Sequence, residues 1–313
     1  MNHDISIIIV SWNSVEHLRN CLGSIYQIKS RVNLEVTVID NASSDGSAEM
    51  VSSEFSSVIL IENKENRGFA AANNQGIVRS SGRYILLLNP DTILLDDALE
   101  KTLGIADNHP NVGVLGCQVL ENKEKIQNTC FSFPTPLNIF FIAVGLSKLF
   151  PKSHFFGQPE LSWWDRKSER FVDVISGMFM LVRREAYEDV GLMDEAYFIY
   201  AEEADWCFRF WQAGWKCMFT PDACIIHADG GGKSTRQIAS KMFVQMQKSL
   251  IIFNRNNIGK VACLLTKAIF ILSNIIRLVI WGGLAPFNQS ALSKATYALA
   301  GLRFHLTGRE PTV

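Results

Sequence analysis

The sequence is poor in most of the features that assign a protein to a class at once. There is no run of Lys and Arg in the first 250 residues, and 30 Lys/Arg stand against 31 Asp/Glu for a formal net charge of -1. A surface that holds nucleic acid by counterion release is therefore not indicated. The 7 cysteines (Cys21, Cys117, Cys130, Cys207, Cys217, Cys224, Cys263) are scattered and odd in number. They offer neither a disulfide framework nor the close pairs of a structural zinc site, which suits a reducing compartment. No internal repeat or low-complexity linker occurs before about residue 255. Asp4 precedes ISIIIVSW, a run too short and too acidic at its start for a secretory signal, so a cytosolic location is expected.

Long uncharged apolar runs are scarce as well. Residues 258–285 are strongly hydrophobic, yet Lys260, Lys267 and Arg277 interrupt them, and a spanning helix needs ~20 predominantly apolar residues. Wound as a helix, the three cations fall on one side, which predicts an in-plane position at an anionic membrane surface. A helix packed on the rest of the chain, or in a homo-oligomer interface, is the alternative. A second apolar region, Phe131 to Phe156, is rich in Phe, with Pro134, Pro136 and Pro151, and Lys148 and Lys152 near its end.

What the chain has is alternation. Residues 5–116 interleave short apolar runs with helical patterns, the sequence form of βαβ units, so an α/β fold with a Rossmann-like, mostly parallel sheet flanked by helices is expected. Strands are predicted at 5–10, 35–40, 58–62 and 84–88, and helices at 15–26, 47–55 and 69–80, the first capped by Asn13 or Ser14. Beyond Asn111, VGVLGCQVL reads as a strand and the stretch to about residue 170 as irregular. DVISGMFMLVRR reads as a strand entering a helix near Arg184, residues 202–213 as a helix ended by Gly214, and a last strand leads to His227.

Two acidic strings stand at the ends of these elements. LLLNPDT stops an oily strand at Asn89, Pro90 and Asp91, delivering one carboxylate to the sheet edge where open α/β sheets bind ligands. YAEEADW carries Glu202, Glu203 and Asp205; these could serve proton transfer, or simply complement a helix dipole. VIDNASSDGS places Asp40 and Asn41 beside a small-residue turn that could hydrogen-bond a base or a ribose, or merely cap a loop. After His227 come Lys233, Ser234 and Arg236, whose Gly-rich setting could close over a pyrophosphate. GGGKST there lacks the spacer of a P-loop, which argues against a nucleoside triphosphatase. Gly177 in SGMFMLVRR allows close backbone approach near a sugar or is an ordinary strand kink. Trp206 either stacks on an acceptor sugar or packs in the core.

In their order, Ser11-Trp12-Asn13, VIDNASSDGS, ENRGFAAANN, LLLNPDT, SGMFMLVRR and AEEADWCFR followed by His227 resemble the inverting nucleotide-sugar glycosyltransferases of family 2, and among them the rhamnosyltransferase-like members. The likeness covers about residues 5–235. It implies a GT-A fold and nucleotide contacts from Ser11, Trp12, Asn13, Asp40, Asn41, Arg67, Gly68, Asn73 and Asn89. The family's Asp-x-Asp metal signature is reduced here to Asn89-Pro90-Asp91, so a divalent ion, Mg²⁺ or Mn²⁺, would lean on Asp91, the donor pyrophosphate, water and His227. Its general base maps onto Glu203, where the family more often has Asp, leaving Asp205 or Glu202 as alternatives.

The expected organisation is a catalytic domain over 1–255, with a donor half at 1–116 and an acceptor half at 117–255, followed by an apolar helical tail at 256–313. The expected activity is transfer of a sugar, rhamnose from dTDP-rhamnose, to a lipid-linked glycan in cell-surface, O-antigen-like polysaccharide assembly. The enzyme would work peripherally at the cytoplasmic face of the membrane. A processive synthase would carry Gln-x-x-Arg-Trp and several spanning helices, and neither is present. The rival from another class is a non-catalytic, membrane-associated sugar-nucleotide-binding or scaffold protein.

Overall fold

Strands buried on both faces need continuous apolar runs rather than alternation, and the first strand meets this condition from Ile7 to Ile9. The computed structural model describes residues 3–28, 31–95, 97–121, 125–227 and 239–310. Within it β1 (His3–Ser11), β2 (Leu34–Asp40), β3 (Ile59–Glu62) and β4 (Gly82–Leu88) are parallel, joined through α1 (Val15–Gln27), α2 (Ser47–Glu54) and α3 (Phe69–Arg79). The short β5 (Thr92–Leu94) and α4 (Ala98–Asn108) lead to β6 (Val112–Glu121), followed by the two-residue β7 (Lys125–Ile126) and β8 (Cys130–Phe131).

The chain then leaves the sheet through α5 (Pro136–Ala143) and α6 (Leu146–Leu149). The expectation of an irregular stretch here is corrected: Thr135 caps α5 by accepting from the Asn138 N–H, and Pro136 stands in the first turn, where its missing N–H costs nothing. β9 (Arg170–Phe171), β10 (Val174–Ile175) and β11 (Phe179–Arg183) return the chain to the sheet. α7 (Arg184–Val190), α8 (Glu202–Gln212) and β12 (Lys216–His227) complete it, and α9 (Ala239–Phe253), α10 (Lys260–Leu284) and α11 (Gln289–Thr307) follow.

The sheet order is β3-β2-β1-β4-β11-β6-β12-β5. β11 is antiparallel to both β4 and β6, and β12 is parallel to β6 and antiparallel to β5. One edge therefore gathers the ends of β1, β2, β4, β6 and β12 together with the beginning of β11.

Two compact units emerge. The first comprises 1–131, 165–198 and 202–234 and holds the whole sheet; the second comprises 132–164, 199–201 and 235–313. A single cut at residue 255 does not describe this division, because the Phe-rich stretch packs with the C-terminal helices, α5 against α10.

Two further expectations change. Ser14 turns to Ser11 (Oγ to Oγ, 2.9 Å) rather than capping α1, and Asp45 Oδ2 accepts from the Val15 N–H (2.9 Å) instead. Burial pushes Asp45 up, but the Ser47 hydroxyl and the Val15 and Ser47 N–H groups outweigh it and hold its carboxyl below the ordinary range. On α10 the three cations do not share one solvated stripe: Lys260 and Lys267 are exposed, whereas Arg277 is half-buried over the Phe243 ring, 5.7 Å from its centroid.

Candidate active site

The turn after β4 sets the first carboxylate. The Asn89 carbonyl accepts from the Thr92 N–H (3.3 Å) and hydroxyl (2.7 Å), folding Asn-Pro-Asp-Thr into a turn. Asn89 N–H is tied to the Met178 carbonyl (3.2 Å) at the start of β11. β12 runs past β5 in register, with His227 opposite Thr92, which brings the imidazole beside Asp91.

His227 Nδ1 lies 2.9 Å from Gln127 Oε1. With that oxygen accepting, Nδ1 donates, which fixes the ring with Nε2 towards Asp91. Nε2 is 3.0 Å from Asp91 Oδ1, and both atoms are buried without a hydrogen bond. Atoms so placed are held together by a proton on Nε2, as an ion pair, or by a metal cation between them. Neighbouring ligands each about 2.1 Å from one octahedral ion stand ~3 Å apart, so the pair fits a divalent ion, and a carboxylate oxygen with an imidazole suits Mn²⁺ better than the oxygen-seeking Mg²⁺. No group of three or more His, Cys, Asp or Glu gathers around an ion among the described residues, so the protein side of such a site is this pair, oriented by Gln127.

At the end of β2, Asp40 is 4 % exposed. Its Oδ2 accepts from the Ser43 N–H three residues on (2.9 Å), bracing the turn, while Oδ1 is buried with no partner. Around it Asn13, in left-handed backbone (φ 50°), donates its N–H to Ser43 Oγ and accepts from the Ser44 N–H, so the loop after β1 and the turn after β2 are laced together. Trp12 is half-buried in that loop and Ser11 is buried.

Asn41 acts differently from its neighbours. Its amide donates to Asn66 Oδ1 (3.0 Å) and the Gly68 carbonyl (3.1 Å), and its oxygen accepts from Asn63 and the Arg67 N–H (3.1 Å each). Its hydrogen-bonding groups are thus engaged within the chain, where it pins the 63–68 loop. Arg67 keeps a largely exposed guanidinium 3.9 Å from Glu195. Gly68 (φ 82°, ψ 179°) is required, since an added Cβ would meet the Phe198 ring at 2.8 Å and collide with its carbonyl oxygen, which accepts from the Phe69 N–H. Asn73 is buried in α3 and donates to the Phe69 carbonyl of the preceding turn (2.9 Å). Gly177 leaves room for Phe69, whose ring would lie 3.1 Å from an added Cβ.

The acidic cluster opens α8, after Tyr200 and Ala201, both non-glycine residues in left-handed backbone (φ 71° and 65°). Such consecutive strain, about 1–3 kcal/mol per residue, is a feature of sites that need a fixed geometry. Glu202 is 3 % exposed and Glu203 half-buried, and each has an Oε2 that is buried and without a hydrogen bond. Burial pushes both carboxyls up, and the charge of Glu203 raises Glu202 further.

Asp205 is otherwise occupied: Oδ2 pairs with Arg209 Nε (2.9 Å) and Oδ1 accepts from the Tyr197 hydroxyl (3.3 Å), while Arg209 also donates to the Val190 and Leu192 carbonyls. It locks α8 to the turn after α7, which removes it as a free base. Trp206 is fully buried, its indole N–H donating to the Gly191 carbonyl (2.9 Å) and its ring against Phe210. Its sugar-stacking alternative is corrected to a core role.

Lys233, Ser234 and Arg236 lie outside the described residues. Gln127 and Asp45 are functional placements that the sequence did not disclose; a Gln in a polar loop carries no periodic signal, and the Asp45 cap reaches a helix that precedes it in the chain.

Comparison with known proteins agrees with the fold. The family model described as Glycosyl transferase family 2 matches residues 6–191, more than half of the chain. The chain is similar to the N-acetylglucosaminyl-diphospho-decaprenol L-rhamnosyltransferase of Mycobacterium tuberculosis, 27 % identical over 241 residues, covering 72 % of this chain and 76 % of that protein. It is also similar to the low-salt glycan biosynthesis hexosyltransferase Agl10 of Haloferax volcanii, 27 % identical over 213 residues, covering 67 % and 62 %. In fold it matches the mannosyltransferase PcManGT from Pyrobaculum calidifontis, solved in complex with GDP-Man and Mn²⁺, with a TM-score of 0.58, 16 % identity and 99 % of this chain covering 89 % of that one.

Proposed function

The chain belongs to glycosyl transferase family 2, and we propose that it transfers rhamnose from dTDP-rhamnose, with inversion, to a lipid-linked glycan at the cytoplasmic face of a membrane during cell-surface polysaccharide assembly. The observation that carries the catalytic part is the buried, unpartnered contact of Asp91 Oδ1 with His227 Nε2 at the edge that also holds Asp40. The rhamnose donor and lipid-linked acceptor follow the likeness to the decaprenol-linked rhamnosyltransferase.

Asp40 Oδ1, with no partner inside the protein, accepts from the N–H face of the thymine base or from the ribose. Asp91 and His227 would hold a divalent ion, whose chemistry there would be to offset the charge that the departing nucleoside diphosphate develops. Glu203 takes the proton of the acceptor hydroxyl as its oxygen bonds to the anomeric carbon and the bond to the diphosphate breaks. A carboxylate raised by burial is a stronger base than one in water, which suits that task. Exposed Arg67 adds a cation beside the nucleotide.

The test is a thermal-shift screen of nucleotides and nucleotide sugars with and without Mn²⁺, followed by donor hydrolysis. dTDP-rhamnose with Mn²⁺ is expected to stabilise the fold most, by mass action, and to be consumed. If another nucleotide sugar is preferred, the donor assignment fails; if nucleotide binds but no donor is consumed, the protein is a binding module.

A further inference from the structure

The near-neutral chain hides a segregation of charge. The second compact unit (132–164, 199–201, 235–313) contains twelve Lys and Arg and only two acidic residues, Glu160 and Glu310, whereas the first contains eighteen against twenty-nine. Within that cationic unit α10 is turned inside out. Its buried face consists of Ala262, Thr266, Phe270, Ser273 and Asn274. Its outer face is aliphatic: Val261 and Val279 are each 71 % exposed and Leu264 67 %.

The interior is sealed by polar groups. Asn274 Nδ2 donates to Gln247 Oε1 of α9 (3.1 Å), and His305 Nε2 of α11 lies 2.7 Å from the same oxygen. α11 approaches through Ala291, Ala295, Ala298 and Gly301, and a Cβ on Gly301 would meet Asn274 Nδ2 at 2.6 Å. Small residues and interhelical amides inside with aliphatics outside are how helices pack when the surrounding solvent is lipid. A water-facing helix would turn the other way.

We propose that the outer face of α10 lies in the acyl-chain layer of an anionic membrane, parallel to its plane. The charge-free face from Val261 to Ile280 is ~30 Å long, which by itself would also suit a spanning helix. Its neighbours decide otherwise. α10 is the one helix among the described residues long and apolar enough to cross, and the helices packed on it carry Lys241 and Lys248 on α9 and Lys294 and Arg303 on α11. Spanning would draw those cations into hydrocarbon. An in-plane helix leaves them, with Lys260 and Lys267, at the level of the lipid phosphates.

The experiment uses the full chain and vesicles of phosphatidylcholine with or without phosphatidylglycerol. Flotation is expected with the anionic vesicles. L264E with V279E should lower the bound fraction at least about tenfold while leaving nucleotide-dependent thermal stabilisation unchanged, since both residues are exposed and far in sequence from the nucleotide residues. K260E with K267E should weaken binding to anionic vesicles about tenfold and leave any binding to neutral ones as it was. A fluorophore placed in turn at 261, 272 and 279 should be quenched equally by shallow lipid-borne quenchers. Deep burial at 272 with shallow ends would mean a spanning helix and overturn the proposal. It is also overturned if the wild-type chain ignores anionic vesicles, if L264E with V279E instead splits an oligomer seen by light scattering, or if the cationic unit binds RNA and not vesicles. Loss of donor binding with vesicle binding intact would count against the catalytic reading alone.

Discussion

His227 Nε2 stands 3.0 Å from Asp91 Oδ1, and neither atom has a hydrogen bond although both are buried. The two side chains come from a turn and a strand end far apart in sequence, yet the pairing of β12 with β5 leaves little freedom in their separation. A buried carboxylate oxygen and ring nitrogen at this distance can share a proton or a divalent ion, and the second of these is put to the test below.

Asp91→Asn should therefore keep the fold and lose most of the Mn²⁺-dependent nucleotide binding, read by titration calorimetry as well as by transfer. Gln127→Ala should weaken the metal-dependent part about 10–100-fold by freeing the imidazole to rotate. Undiminished wild-type transfer in excess chelator would remove the metal from the account.

Glu203→Gln should bind donor normally and turn over about 10²–10⁴-fold more slowly. Because burial raises the Glu203 carboxyl, the wild-type rate should fall as pH drops through a value above the ordinary glutamate range. A near-normal E203Q variant would transfer the base role elsewhere.

Glu202 gives a stability prediction of definite sign. Its native carboxyl holds its proton more tightly than the unfolded chain does. Its contribution is thus full below the unfolded value of ~4.3 and is lost as pH rises through the native one. Glu202→Gln should raise Tm at pH 7–8 and change it little near pH 4. A variant less stable at pH 8 than the wild type would show that the charged form is the one the fold favours.

Asp40→Ala should act on the ground state. An acceptor to the base or ribose contributes equally before and during the reaction, so donor KM rises while kcat stays comparatively intact. Normal donor affinity with a depressed kcat would contradict the assignment.

Asp205→Asn separates the two remaining acidic positions by a different readout. Breaking its buried pair with Arg209 should cost about 3 kcal/mol in denaturant unfolding, with kcat per folded molecule largely kept. An inactive but fully stable variant would restore Asp205 as a catalytic candidate.

Much of this was legible because α/β order is written locally. The apolar runs ending in Asp40 and Asp91, and the helical spacing of Cys207, Phe208 and Trp211, each lie within one element and depend on burial alone. What escaped was written across elements. Trp206 and Asp205 look like site residues beside Glu203, but helical geometry turns them towards Gly191 and Arg209. Asn41 resembles a ligand contact and serves as a clasp. The proline-rich approach to α5 reads as a loop until Thr135 is seen capping it. The three cations of α10 fall on one side of a helical wheel, yet only packing by α9 reveals that Arg277 lies over Phe243.

The place of β12 bears on how the molecule is made. β12 is the last strand among the described residues, and it lies between β6 and β5. As the polypeptide leaves the ribosome, the sheet ending at β6 presents an open flank of unpaired amides until residues 216–227 emerge, a state prone to sticking to other chains. The strand that closes that flank also brings His227 to Asp91. Completion of the sheet and the meeting of His227 with Asp91 are thus one event in biogenesis, and a nascent chain arrested before it would be both aggregation-prone and without that contact.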